Sequence, residues 1–236
     1  MGYSISKIRH NMDHEHCLAT KTWIRLFKRT GTPTYFERDA FLVDYGQLEK
    51  LNNTPSPRAI KSHLPLHLLP VDLWRVQPKI IYIARNPKDV AVSTFHMISD
   101  GHKIFSGSIE DYFDLFMDNR TLFAPHYAHV LAYWELRNWD NFLFLTYEQL
   151  LNDRFDEVKK IAKFLESKYG EDELKQLTEY ASFGNMQKLH IPKNDYQFFR
   201  KGKAGGFFDE MTENYIKKFD EWTTVHFKDS DFKFAI

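Results

Sequence analysis

Apolar and polar positions alternate along this chain in two periods, and the clearest apolar block is Ile80-Ile81-Tyr82-Ile83-Ala84. A short continuous apolar run rich in isoleucine reads as a buried strand. It stops at Arg85 and passes directly into a helix start. Asn86 can cap, Pro87 suits the first helical position, and Asp89 stands three residues after the cap, where a carboxylate can complete a capping box. Asn141 to Tyr147 reads as a second buried strand. Helical periodicity marks residues 109–119, 127–138, 172–180 and 214–222. The stripe Phe155, Val158, Ile161, Ala162 and Leu165 predicts an amphipathic helix over 154–168. Thr22 to Arg29 reads as a short helix and Arg58 to His63 as a short strand closed by Pro65. Residues 51–57 and 196–208 read as loops, the latter basic and glycine-bearing. Strands alternating with helices predict an α/β fold whose mostly parallel central sheet is covered by helices on both faces.

Composition narrows the class. The 236 residues carry 32 basic and 32 acidic side chains, so no net field draws the chain to nucleic acid. Aromatics make up 16%, with 21 Phe and 12 Tyr, a content that suits either an apolar pocket or an aromatic core. Cys17 is the single cysteine, so no intrachain disulfide can form and a reducing compartment is favoured. No apolar run approaches the ~20 residues of a membrane helix, and the first residues lack the apolar centre of a secretory signal. A soluble cytoplasmic protein is expected. The scattered histidines form no metal-ligand spacing, and no Gly-x-x-x-x-Gly-Lys-[Ser/Thr] occurs, which argues against an ATP-binding kinase.

Three segments carry candidate chemistry. On an extended segment Lys61 and His63 share a face. A histidine can take a proton near neutral pH while a lysine stabilises developing negative charge; an exposed Lys-x-His pair is the plain alternative. Arg85, at a strand-to-helix junction, is suited to hold a phosphate, and Ser93 lies two turns into the helix on the cap's face. In Phe198-Phe199-Arg200-Lys201-Gly202-Lys203-Ala204-Gly205-Gly206, cations and glycines together make a loop that can wrap a phosphate or be simply solvated.

Together these segments resemble the cytosolic sulfotransferases, which move a sulfuryl group from 3′-phosphoadenosine 5′-phosphosulfate (PAPS) to an alcohol, phenol or amine. Pro57 to Pro65 followed by Leu68-Leu69-Pro70 resembles the family's catalytic-histidine segment. Tyr82 to Asp89 with Ser93 resembles its 3′-phosphate strand and helix, and Arg200-Lys201-Gly202-x-x-Gly205 its C-terminal phosphate loop. The resemblance runs from Tyr35 to Trp222 and implies an atypical segment over 1–34 before a sulfotransferase-like domain over 35–236. It implies a P-loop-like sulfotransferase fold with an incomplete N-terminal strand-loop-helix. It implies His63 as the general base, Lys61 and Ser93 beside it in catalysis, and no metal. Arg85, Ser93, Arg200, Lys201 and Gly202 would hold the 3′-phosphate. Tyr147, Ser182, Phe183, Met186 and Phe198 would surround the adenosine.

The acceptor implied is a small apolar alcohol or phenol, for which Phe95, Phe105, Tyr112, Phe116 and Tyr133 are candidate pocket residues and equally candidates for core. The family's 5′-phosphosulfate loop, Pro-Lys-Ser-Gly-Thr-Thr-Trp, is represented only by Cys17-Leu18-Ala19-Thr20-Lys21-Thr22-Trp23, which keeps the final Thr-Trp. Gly206-Phe207-Phe208 replaces Asp-Trp-Lys, Ala181 replaces a hydroxyl residue, and Glu213 interrupts the family's dimer motif near Thr212. A homodimer is possible, but the family's dimer motif is degenerate here. The leading expectation is sulfuryl transfer; the alternative is a catalytically impaired module that binds PAPS, its product 3′-phosphoadenosine 5′-phosphate (PAP), or a small apolar ligand.

Overall fold

Two parallel strands form the sheet among the described residues, β1 (Ile80–Ala84) and β2 (Phe142–Thr146), paired in register from Ile80 opposite Phe142 to Ala84 opposite Thr146. The computed structural model describes residues 59–189 and 199–234, and the chain divides into two units, Met1–Gln77 and Pro78–Ile236.

In the first unit, residues 59–65 are irregular, a 3-10 turn spans Leu66–Leu68, and a short helix α1 spans Asp72–Val76. The strand expected over 58–63 is not formed: residues 59–63 have no ladder partner among the described residues, and Arg58 lies outside them. The Ser62 hydroxyl instead accepts the Leu64 amide at 3.1 Å, a local turn that competes with strand pairing. The helix expected over 22–29 and the segment Cys17–Trp23 also lie outside the described residues.

In the second unit β1 leads into α2 (Pro87–His96), which ends in a π turn over Met97–Gly101. Helices α3 (Ile109–Met117) and α4 (His126–Trp134) follow, then β2, then α5 (Tyr147–Asn152), α6 (Arg154–Phe164), α7 (Glu171–Tyr180) and α8 (Phe183–Leu189). A 3-10 turn over Gly206–Asp209 precedes α9 (Glu213–Phe227), which Thr212 caps by accepting the Tyr215 amide. None of the described helices is long and apolar enough to cross a membrane.

Packing explains the aromatic content. Phe113, Phe116, Phe219 and Trp222 interlock α3 with α9 at ring separations of 5.7–5.9 Å, mostly tilted or edge-on, the arrangement aromatic quadrupoles prefer. Tyr112, Phe116 and Tyr133 are buried core residues, and Phe95 and Phe105 pack against that core. All five candidate acceptor residues thus serve the core of this unit. Tyr82 of β1 stacks on Tyr133 at 4.2 Å and places its hydroxyl 2.8 Å from His129 Nδ1, tying the strand to α4. The strand is less enclosed than its composition suggests. Ile83 keeps half its surface, because the face of β1 that carries it borders a cleft.

Candidate nucleotide cleft

Both strands end level, and each runs straight into a helix, so α2 and α5 start side by side at the carboxyl edge of the sheet. That edge is where ligands bind in open α/β folds, because helix N-termini and loop amides converge there. A cleft of about 480 Å³ opens at this place. Its strand-end wall is Ile83, Arg85, Asp89 and Ser93. A second wall comes from Tyr147, Leu150, Leu151, Arg154, Val158 and Ile161, and the returning chain supplies Phe183, Met186 and Phe199 to Lys203.

The start of α2 is built as its sequence suggests, with one change. Asn86 Oδ1 accepts the Lys88 amide at 3.0 Å, and Pro87 occupies the first helical position. The reciprocal bond does not come from Asp89. Glu148 of α5, presented by the Thr146–Gln149 capping box, accepts the Asn86 amide at 2.9 Å. Asp89 is released for a longer-range task. Only 2% exposed, it accepts the amides of Gly205 at 2.8 Å and Phe207 at 3.0 Å, anchoring the C-terminal loop to α2. A buried carboxylate that receives two amides and faces Arg85 at 3.8 Å fixes the loop more firmly than a local cap could.

The Arg85 guanidinium carbon lies over the Tyr147 ring, 4.4 Å from its centroid, and the side chain donates weakly to the Lys203 carbonyl at 3.4 Å. Its Nε is buried and has no hydrogen-bond partner among the described residues. A buried guanidinium donor left unpaired is costly, and an anionic ligand in the cleft would satisfy it.

The loop that follows is shaped by two glycines with positive φ, Gly202 at 61° and Gly205 at 71°. A Cβ on Gly202 would sit 2.1 Å from the Phe183 ring, so only glycine lets the loop lie against α8. Its cations are engaged with nearby acids. Arg200 pairs with Glu210, Lys201 reaches Glu210 at 2.8 Å and Asp209 at 3.0 Å, and Lys203 reaches Asp209 at 2.8 Å. Hydrogen bonds from Lys203 and Lys201 bring Asp209 down to about 2. Burial works against the Glu210 charge, but hydrogen bonds from Lys201 and His96, with the Arg200 charge behind them, bring it also to about 2.

A carboxylate held below its unfolded value adds stability that is complete above about pH 4.5 and disappears as pH falls through about 2. Melting temperature should therefore decline across that acid range, and E210Q should show a shallower decline. An unchanged slope in E210Q would mean that Glu210 does not support the loop.

Of the residues singled out from sequence, Arg85, Ser93, Tyr147, Phe183, Met186, Arg200, Lys201 and Gly202 border this one cleft. Ser182 is not among its lining residues; its hydroxyl faces the Asn185 amide at 3.4 Å, at the start of α8. Phe198 lies outside the described residues, and Phe199 borders the cleft beside it in sequence. Lys61 and His63 belong to the first unit. Desolvation, and then the neighbouring Lys61 charge, lower the His63 pKa, while the residue keeps accessible surface. That direction favours the uncharged ring, the form a base requires.

Sequence reasoning did not single out Asp89 as a loop anchor, nor Leu150, Leu151, Arg154, Val158 and Ile161 as a cleft wall. The α6 stripe was a usable signal for the last two, since Arg154, Val158 and Ile161 are spaced to share a helical face.

The profile of the sulfotransferase domain matches residues 7–231. Mouse (Mus musculus) sulfotransferase 1 family member D1 is 36% identical over 200 residues, which cover 79% of this chain and 68% of that protein. Among solved structures, mouse sulfotransferase 7A1 complexed with PAP superposes with a TM-score of 0.73 at 32% identity, over 80% of this chain and 72% of that one. Retinol dehydratase complexed with retinol and PAP superposes with a TM-score of 0.71 at 28% identity, over 84% of this chain and 67% of that one. The chain belongs to the sulfotransferase family.

Proposed function

We propose that this sulfotransferase binds PAPS in the cleft at the strand ends and transfers its sulfuryl group to a hydroxyl of a small, apolar alcohol or phenol. The observation that carries the reading is the convergence of Arg85, Ser93, Arg200, Lys201 and Gly202 around one cleft, with the buried Arg85 Nε left without a partner. These groups suit a 3′-phosphate. Arg85 offers a planar donor fork, Ser93 a hydroxyl, and the glycine-shaped loop its cations and amides. Tyr147, Phe183 and Met186 offer aromatic and thioether surface to the adenosine. Two relatives that share the fold were solved with PAP bound.

His63 is assigned the general base, an uncharged imidazole that accepts the acceptor's hydroxyl proton as its oxygen bonds to sulfur. Lys61 stabilises the negative charge that builds up around the transferring group. PAPS supplies the sulfuryl group and leaves as PAP. The rest of the rate enhancement comes from holding the two reactants in line.

A panel of phenols and aliphatic alcohols with sulfur-labelled PAPS tests this. Labelled sulfate ester should form, and H63A should lower kcat by about 10²- to 10⁴-fold with little change in PAP affinity. PAP binding without turnover on any acceptor would replace the enzyme reading with a binding module. No binding of either nucleotide would overturn both.

A further inference from the structure

Glu210 is placed among more positive charge than one carboxylate needs. It pairs with Arg200, accepts from Lys201 at 2.8 Å, and meets His96 Nε2 at 2.5 Å. The other ring nitrogen of His96 lies 2.6 Å from Asp100 Oδ2, in the π turn that ends α2. A neutral imidazole carries one N–H and can donate to only one of two carboxylates. His96 links Glu210 and Asp100 through its two ring nitrogens. Glu210 therefore holds two cations of the phosphate loop on one side and the His96 ring on the other. Asp209 completes the set by engaging Lys201 and Lys203.

We propose that Glu210, backed by His96, is the internal counter-ion of the phosphate loop: it holds Arg200 and Lys201 until the 3′-phosphate of the nucleotide takes them over. This rests on the cofactor reading above. In the unliganded loop the carboxylate stands in for the phosphate and keeps the cations positioned rather than mutually repelled. When the nucleotide binds, Arg200 and Lys201 turn to the phosphate oxygens, and Glu210 keeps His96 as its remaining partner. Glu210 and the nucleotide thus compete for the same donors, and His96 limits the cost to Glu210 of losing that competition. Both are positioning residues, acting through the loop cations rather than on the reacting atoms. The charged groups that face His96 are Asp100 on its own turn and Glu210 from the returning loop. Arg200 and Lys201 act on it through Glu210.

Titration calorimetry with adenosine 3′,5′-bisphosphate and with adenosine 5′-phosphate, which lacks the 3′-phosphate, tests the proposal. E210Q should bind the bisphosphate about three- to tenfold more tightly than the wild type, because the loop cations are no longer shared. H96Q should bind it more weakly by a similar factor, because Glu210 is then left without a partner. The H96Q/E210Q double variant should return to the E210Q affinity, since His96 has nothing left to compensate. Affinity for adenosine 5′-phosphate should move little in any of them.

Equal or weaker bisphosphate binding by E210Q, from loop disorder or any other cause, overturns the proposal. So does an H96Q effect that survives in the double variant. A wild type that binds no bisphosphate at all would sink the cofactor reading itself, a result these variants cannot imitate.

Discussion

Replacing Arg85 with leucine should weaken binding of adenosine 3′,5′-bisphosphate by about 10²- to 10³-fold. The estimate follows from what the side chain offers. Its Nε is buried without a partner, and its Nη2 makes only a long contact with the Lys203 carbonyl. At least two donors can therefore turn to a phosphate without breaking strong bonds first. Charge-assisted hydrogen bonds of this kind contribute roughly 1.5–3 kcal/mol each, and two of them account for that loss. R85K keeps the charge but loses the planar fork and its fit over Tyr147, so its affinity should fall between wild type and R85L. Calorimetry on the three proteins checks the order. R85L within about threefold of wild type would remove Arg85 from the phosphate site.

Asp89→Ala should destabilise the second unit as much as truncating one of its core aromatics. The side chain is almost fully enclosed and receives two loop amides while facing Arg85. Truncation leaves both amides without their acceptor and a half-buried guanidinium without its nearby counter-charge, a loss of about 3–5 kcal/mol for a group of this kind. Stability is only one readout, because the loop that Asp89 anchors also carries Arg200, Lys201 and Gly202. Denaturant unfolding should show the lower midpoint, and whatever folded D89A remains should bind the bisphosphate poorly. D89N keeps the volume and one acceptor oxygen, so it should recover part of the stability. Its amide nitrogen, turned toward a second donor, should prevent full recovery. Unfolding free energies within about 1 kcal/mol of wild type for D89A would show that the loop is held by other means.

What could be read from the sequence followed the range of the interaction involved. The strand at Ile80, the Asn86-Pro87 helix start and the stripe of α6 rest on neighbours a few residues apart, and each formed where its pattern predicted. The short segment ending at His63 did not form a strand, and a local turn in which the Ser62 hydroxyl accepts the Leu64 amide stands there instead. Asp89 looked like part of a capping box because its spacing from Asn86 is right. Its partners lie 116 and 118 positions away, and no local pattern announces them.

The cleft was legible only in pieces. Arg85, the basic loop and Tyr147 could be named, the first two from local chemistry and the third through the family resemblance. The apolar wall from Leu150 to Ile161 read simply as helix. The neutralisation of the loop by Asp209 and Glu210 depends on how the chain folds back, although the acids stand within ten residues of the cations they hold.

On the proposed reading, the cleft recognises its nucleotide through the 3′-phosphate. Side-by-side titrations of the wild-type protein with adenosine 3′,5′-bisphosphate and adenosine 5′-phosphate test it most directly. The bisphosphate should bind at least about 10²-fold more tightly, from the extra charge-assisted bonds made by Arg85 and the loop. Equal affinity for the two nucleotides, or no measurable binding of the bisphosphate, would contradict it.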